Sequence, residues 1–168
     1  MNYSPLTPFM FDPSASGITI FHPAAKPLFD QARRRASTHQ MLAALMGRAR
    51  QLRTLSEADR ATIQFEMEPQ ACSLPIRQIN GTLNRVQEFD CDFYPLSDSL
   101  ETRWVRIASM MLHGTGLPPV ELLHIGQDYF VVDGHHRISV SRMLNQNYVD
   151  AVIRNCVNPS AQVSESTG

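Results

Sequence analysis

A run of β-branched and aromatic residues, Tyr129-Phe130-Val131-Val132, stops at Asp133-Gly134 and passes at once into His135-His136-Arg137 and a helical pattern. A strand that turns into a helix at a glycine must bury one face of each element against the other, which restricts the chain to a layered fold of helices and strands. Ahead of it, Val120-Glu121-Leu122-Leu123-His124-Ile125 reads as a second strand, and Gly126-Gln127-Asp128 as the turn between the two, so the pair predicts a hairpin. The helix after the turn is expected over 136–144, with Ile138, Met143 and Leu144 among its apolar positions and Asn145 suited to its C-cap. Residues 148–153 predict a last strand, and 155–168, small and polar, a frayed tail.

The turn itself carries the chemistry. Backbone N–H groups of a helix's first turn have no helical partner, and the helix dipole favours negative charge there. Gly134 lets a ligand approach the backbone, and Arg137 can fork two hydrogen bonds onto phosphate oxygens. His135 and His136 offer donors, or acid and base near neutral pH. Asp133 would repel a bare phosphate, so three roles stand open to it: holding magnesium, orienting a histidine, or pairing with Arg137. The plainer alternative is a tight turn in which Asp133 caps the helix and the histidines lie on the surface. Two adjacent histidines fall short of the three or four ligands zinc needs, and His113 and His124 are only loosely placed to help.

Upstream, the longest helical pattern spans about 28–55, with Ala32, Ala36, His39, Leu42, Met46, Ala49 and Leu52 near one face. Ser56 and Asp59 resemble a capping box opening a second helix to about Phe65. Leu74-Pro75-Ile76 and Asn80-Gly81-Thr82 suggest a short strand and a turn, and Phe89, Phe93, Tyr94 and Leu96 a loop pinned by aromatics. Asp98 and Glu101 fit the cap of a further helix whose apolar face is Leu100, Trp104, Ile107, Ala108, Met111 and Leu112, closed by His113-Gly114. Trp104 and the methionines beside it read as core. Residues 1–27 are proline-rich with short aromatic pieces, an arm laid over the domain or over a partner.

The formal net charge of -1 conceals an asymmetry. From Lys26 to Arg53 seven basic residues face one acidic residue, whereas Glu88 to Asp133 holds eight acidic residues against Arg103 and Arg106. Two parts of one fold that attract each other explain this more simply than a binding surface, although a nucleic-acid stripe on the basic helix is the alternative. Three cysteines without a CxxC spacing predict free thiols and a cytoplasmic setting. No apolar run is long enough for a membrane span. There is no Walker loop, dinucleotide fingerprint or Gly-x-Ser-x-Gly turn, and Lys26 is the only lysine.

Gly114-x-Gly116-Leu117-Pro118-Pro119-Val120, then Tyr129 through Arg137, then Ser139-Val140, together resemble the nucleotide-binding domain of ParB partitioning proteins and their sulfiredoxin-like relatives. The resemblance covers about 84–154. It implies a proline-led strand, a hairpin, and a Gly-x-x-Arg turn that binds nucleotide. Sulfiredoxins carry their catalytic cysteine after the glycine; His135 stands there instead, which removes that thiol chemistry. Partitioning proteins usually read Gly-Glu-Arg-Arg, so His135 and His136 put CTP selectivity in doubt. The Asp-Gly-His-x-Arg form looks closer to nucleotide-dependent free-serine kinases, in which an upstream acidic residue activates the acceptor, and Glu121 is the local candidate. Fourteen residues follow Arg154, too few for the partitioning proteins' helix-turn-helix.

The reading is therefore an α+β, ParB/sulfiredoxin-like domain with a small mixed sheet flanked by helices and preceded by a helical extension. Its expected parts are an arm at 1–27, the helical extension at 28–83, the nucleotide domain at 84–154 and a tail at 155–168. The function expected is nucleotide binding, of ATP or CTP with Mg2+, with magnesium-dependent phosphotransfer or hydrolysis as its enzymatic form. Gly134, His135, His136, Arg137 and Ser139 would contact phosphate, His135, His136 and Glu121 would carry catalysis, and Asp133 would hold the metal. The alternative is a DNA-associated or protein-interaction module using the basic helix 33–53. A homodimer stays open, and no membrane partner is expected.

Overall fold

The computed structural model describes residues 21–47, 51–55, 63–65 and 68–157. Within them the elements run α1 (Ala25–Leu45), β1 (Arg53–Thr54), β2 (Gln64–Phe65), β3 (Gln70–Pro75), β4 (Ile79–Thr82), α2 (Glu101–Leu112), β5 (Val120–Ile125), β6 (Asp128–Asp133), α3 (His135–Met143) and β7 (Tyr148–Val157). Short 3-10 turns sit at Ile76–Gln78 and Asp98–Leu100. The seven strands form one sheet in the order β1-β4-β6-β5-β7-β2, with β3 also paired to β7. Pairing is mixed: β1 with β4, β4 with β6, and β5 with β7 are parallel, while β5 with β6, and β7 with β2 and β3, are antiparallel. The class is α+β, with a mixed sheet, flanking helices and an N-terminal helical extension.

Period-2 alternation sorts the sheet's side chains between two faces. Leu122 and Val131 join the main core with Phe29, Trp104, Ile138 and Val140, so the helices cover that face. Their neighbours Leu123 and Phe130 turn the other way and meet Leu55 and Cys156. On the helical side α1 packs on α2, α2 on α3, and α3 on β5. Phe29 meets Trp104 edge-on at 5.5 Å between ring centroids. The Trp104 indole N–H donates to Ser139 Oγ at 2.8 Å, which satisfies a polar group that is otherwise costly to bury.

The hairpin lies where the sequence puts it, and Asn145 (φ 54) follows α3 in the left-handed region. Other expectations change. The long helix ends at Leu45 rather than near Leu55, and Arg53 belongs to a strand. Its apolar stripe leaves the core after Ala36: Leu42 and Met46 are exposed among the described residues. Residues 56–62 of the expected second helix, the arm at 1–20 and the tail from 158 lie outside the described residues, and Gln64–Phe65 is a strand, not a helix end. Residues 28–83 contribute four strands to the common sheet. The helix near Asp98 is opened by Ser97, whose side chain accepts from the Ser99 N–H, and the α-helix proper starts at Glu101. β7 runs on to Val157, past the expected end at 153.

Part of the charge asymmetry is met within the fold. Arg33 Nε donates to Asp98 at 2.7 Å, Lys26 reaches Glu101 at 3.2 Å, and Arg53 meets Asp128 at 2.5 Å. Arg33 also caps the Pro95 carbonyl, and Arg35 donates to the Tyr94 hydroxyl. Among the described residues, Lys26, Arg33 and Arg53 of the basic stretch thus pair with carboxylates of the acidic one. No disulfide joins any two of the three cysteines. Among the described residues no helix is long and apolar enough to cross a membrane.

Candidate functional site

β4 and β6 are parallel neighbours, with Thr82 opposite Val131, so their C-terminal ends lie side by side. The segments that leave them, 83–88 and 133–137, therefore meet, and in open sheets ligands bind at such carboxyl ends. β6 ends at Asp133, Gly134 takes φ 102, and α3 begins at His135. Glycine is required there. A Cβ would stand 2.5 Å from Val120 Cγ1, and the backbone lies in the left-handed region. The first helical bond of α3 runs from the Ile138 N–H to the Gly134 carbonyl, and no side chain caps the helix. The N–H groups of His135, His136 and Arg137 accordingly have no partner within the helix.

Both histidines are buried rather than on the surface, His135 at 2% and His136 at 5% exposure. His135 stacks on Phe89 at 6.0 Å and leans on Phe93, while His136 meets Phe89 edge-on at 5.4 Å. Thr82 Oγ1 lies 2.7 Å from His135 Nε2 and also accepts the N–H groups of Asn84 (3.3 Å) and Arg85 (3.1 Å). With its lone pairs so occupied, the Thr82 hydroxyl donates to Nε2, which leaves the imidazole proton on Nδ1. His136 Nε2 is buried without any hydrogen-bond partner among the described residues. Burial, reinforced by the positive charge of Arg85 and Arg103, lowers both histidines to about 3. Burial thus favours the neutral form of both rings, in which each offers one donor and one acceptor nitrogen.

Arg137 is committed. Its guanidinium donates to the Pro118 and Pro119 carbonyls and to Asp133 Oδ2. Of the three roles open to Asp133, pairing with Arg137 is the one seen. Burial lowers the Arg137 pKa, and the charges of Asp133 and Glu121 oppose that shift. Glu121 stands opposite Asp133 across the hairpin, so its carboxylate belongs to the same electrostatic cluster. It sits on a central strand, because β5 lies between β6 and β7. Ser139 does not reach the cleft: it is fully buried and its hydroxyl accepts from Trp104.

The cleft is lined by Arg85, Arg103, Ile107 and residues 133–137 and encloses about 20 Å³, space for roughly one water-sized group. Arg85 and Arg103 were not singled out from the sequence. Arg85 follows β4, whose place beside β6 exists only in the folded sheet, and it is held by both carboxylate oxygens of Glu88 at 2.7 Å. Arg103 is exposed on α2 and makes no ion pair among the described residues; its position as one of two cations in an acidic stretch was the available signal. His124 and His113 are elsewhere, the first bonded to Asn155 and the second against His22.

No family model and no curated protein matches the chain. Among solved structures, sulfiredoxin from Arabidopsis thaliana is similar, with a TM-score of 0.42 and 16% identity, over 56% of this chain and 96% of that one. A likeness so distant transfers no residue role, and the α+β class rests on the chain's own strands and helices.

Proposed function

We propose that this protein binds the phosphate end of a nucleotide at the start of α3. The observation that carries the reading is His136 Nε2, a buried polar atom with no partner among the described residues, in a cleft lined by Arg85, Arg103 and Arg137. Leaving such an atom unsatisfied costs about 1–3 kcal/mol, which a ligand oxygen or N–H would recover. With the proton on Nε2, His136 would donate to a phosphate oxygen alongside the uncapped N–H groups of α3, and the helix dipole would favour the charge. The enclosed space admits one phosphate oxygen, so the remainder of the group would lie at the mouth, under Arg103 and Arg85.

The ParB/sulfiredoxin-like resemblance of residues 114–140 supports ATP or CTP as the ligand class. Magnesium would arrive with the nucleotide, and Asp133, half-exposed and using one oxygen for Arg137, offers the other to it. In a magnesium-dependent phosphotransfer or hydrolysis Glu121 would be the base, since the histidines are held neutral by burial and not poised to exchange protons near pH 7.

The test is thermal-shift and calorimetric titration with ATP, ADP, CTP and GTP plus magnesium, comparing wild type with Arg103→Ala. Stabilisation by at least one nucleotide at millimolar concentration is expected, with affinity about tenfold weaker in the variant. Arg103 has no ion-pair or hydrogen-bond partner among the described residues, so its loss is expected to leave the fold intact. No stabilisation of the wild type by any of the four overturns the reading.

A further inference from the structure

A second constellation lies where α1 crosses the loop 89–95. His39 Nδ1 stands 3.1 Å from Asp90 Oδ2 and 3.4 Å from Asp92 Oδ2, and the three ligand atoms all lie within 4.8 Å of one another. We propose that His39, Asp90 and Asp92 form a binding site for a divalent transition-metal ion, separate from the nucleotide turn.

The two distances from the histidine nitrogen are compatible with coordination. Two ligand atoms each about 2.0–2.2 Å from one zinc-like ion stand about 3.0–3.5 Å apart at octahedral or tetrahedral angles. Both distances from the histidine nitrogen fall in that range without movement. One imidazole nitrogen and two carboxylate oxygens suit zinc, manganese or ferrous iron better than calcium, which takes six to eight oxygens.

Each ligand is also held. Asp90 is 1% exposed, and its Oδ1 accepts the N–H groups of Asp92 at 2.9 Å and Tyr94 at 2.8 Å, so Oδ2 is the oxygen turned to His39. The second oxygen of Asp92 faces Arg142 at 3.6 Å, an outer partner that orients the carboxylate while its positive charge moderates affinity. Arg142 itself rests over the Phe93 ring. His39 lies against the Tyr94 ring, 5.4 Å between centroids.

Asp92 and Tyr94 line an open cleft of about 600 Å³, completed by Arg77, Arg142, Gln146 and Tyr148. Three protein ligands leave at least one coordination position, and that position would face the cleft and take water or a small anion. The arginines beside it favour the anion.

The experiment uses the full chain without a histidine tag, stripped by chelator and titrated with Zn2+, Mn2+ and Mg2+ by calorimetry and thermal shift. One saturable site for Zn2+ or Mn2+ is expected, tighter than for Mg2+, with at least tenfold loss in both His39→Ala and Asp92→Asn. Asp90 is left alone because its side chain holds the loop. Arg103→Ala should bind metal as wild type does, so a failure at the nucleotide turn stays distinguishable from one here. No saturable binding, or undiminished binding in the two variants, overturns the proposal.

Discussion

Thr82, the last residue of β4, donates its hydroxyl hydrogen to His135 Nε2 across 2.7 Å. The bond joins the end of one parallel strand to the helix that follows its neighbour. It also fixes the tautomer of a ring that has almost no contact with water. Thr82→Val keeps the shape and removes the donor, leaving Nε2 buried and unpaired. A loss of about 1–3 kcal/mol is expected by urea denaturation, with a smaller loss in Thr82→Ser. A valine variant as stable as wild type would contradict the assignment.

Acid should act through the two histidines. Unfolded, each takes up a proton near its ordinary value of 6.5; folded, neither does so until about pH 3. The unfolded chain therefore binds more protons between those limits. Stability is full above pH 6.5 and falls as the pH drops toward 3, by up to about 1.4 kcal/mol per pH unit for each ring. Denaturation curves at pH 7.0, 5.5 and 4.5 check this, and His136→Gln should flatten the slope. Bound phosphate would raise His136 toward its ordinary value, visible as a ligand-dependent shift of its ring signals in NMR titration.

Gly134→Ala should be among the most damaging single substitutions. The left-handed backbone and the contact with Val120 act together, and roughly 2–4 kcal/mol is expected. The measurement is the denaturation midpoint. The same change at Gly126, where a Cβ meets nothing within 4 Å, carries only the backbone cost of about 1 kcal/mol.

Arg137→Ala should lower stability by roughly 1–3 kcal/mol even without ligand, because the 118–119 carbonyls and Asp133 lose their donor. Arg103→Ala should stay within about 0.5 kcal/mol of wild type. The pair separates an arginine that builds the site from one that would meet the ligand, and thermal melts of the two apo variants decide it.

The hairpin, the glycine turn and α2 were legible because each is a local pattern: alternation, a breaker, a 3.6 period. The extent of α1 was not, since Leu42 and Met46 continue the helical period beyond Ala36 although none of the described residues buries them. Periodicity shows which residues share a face, and only tertiary packing decides whether that face is buried. Likewise Ser139 lies in the turn's own stretch of sequence but points to Trp104, whereas Arg85 is fifty residues away and lines the cleft. The site's turn could be found from adjacency in sequence; its other wall depends on strand order.

Strand order also sets a schedule. β7 pairs with β5 along one edge and with β3 and β2 along the other. It follows all three in the chain. During synthesis the hairpin and α3 can form as soon as they emerge, but among the described residues β3 has no β-partner until residues 148–153 arrive, roughly seventy-five positions later. Loop closure over that length is slow, and an unpaired edge is the part of a nascent sheet most open to wrong partners. The sheet is therefore closed around β3 only when β7 arrives, and a ribosome-bound fragment ending before Tyr148 should expose β3 to proteases that spare it in the finished molecule.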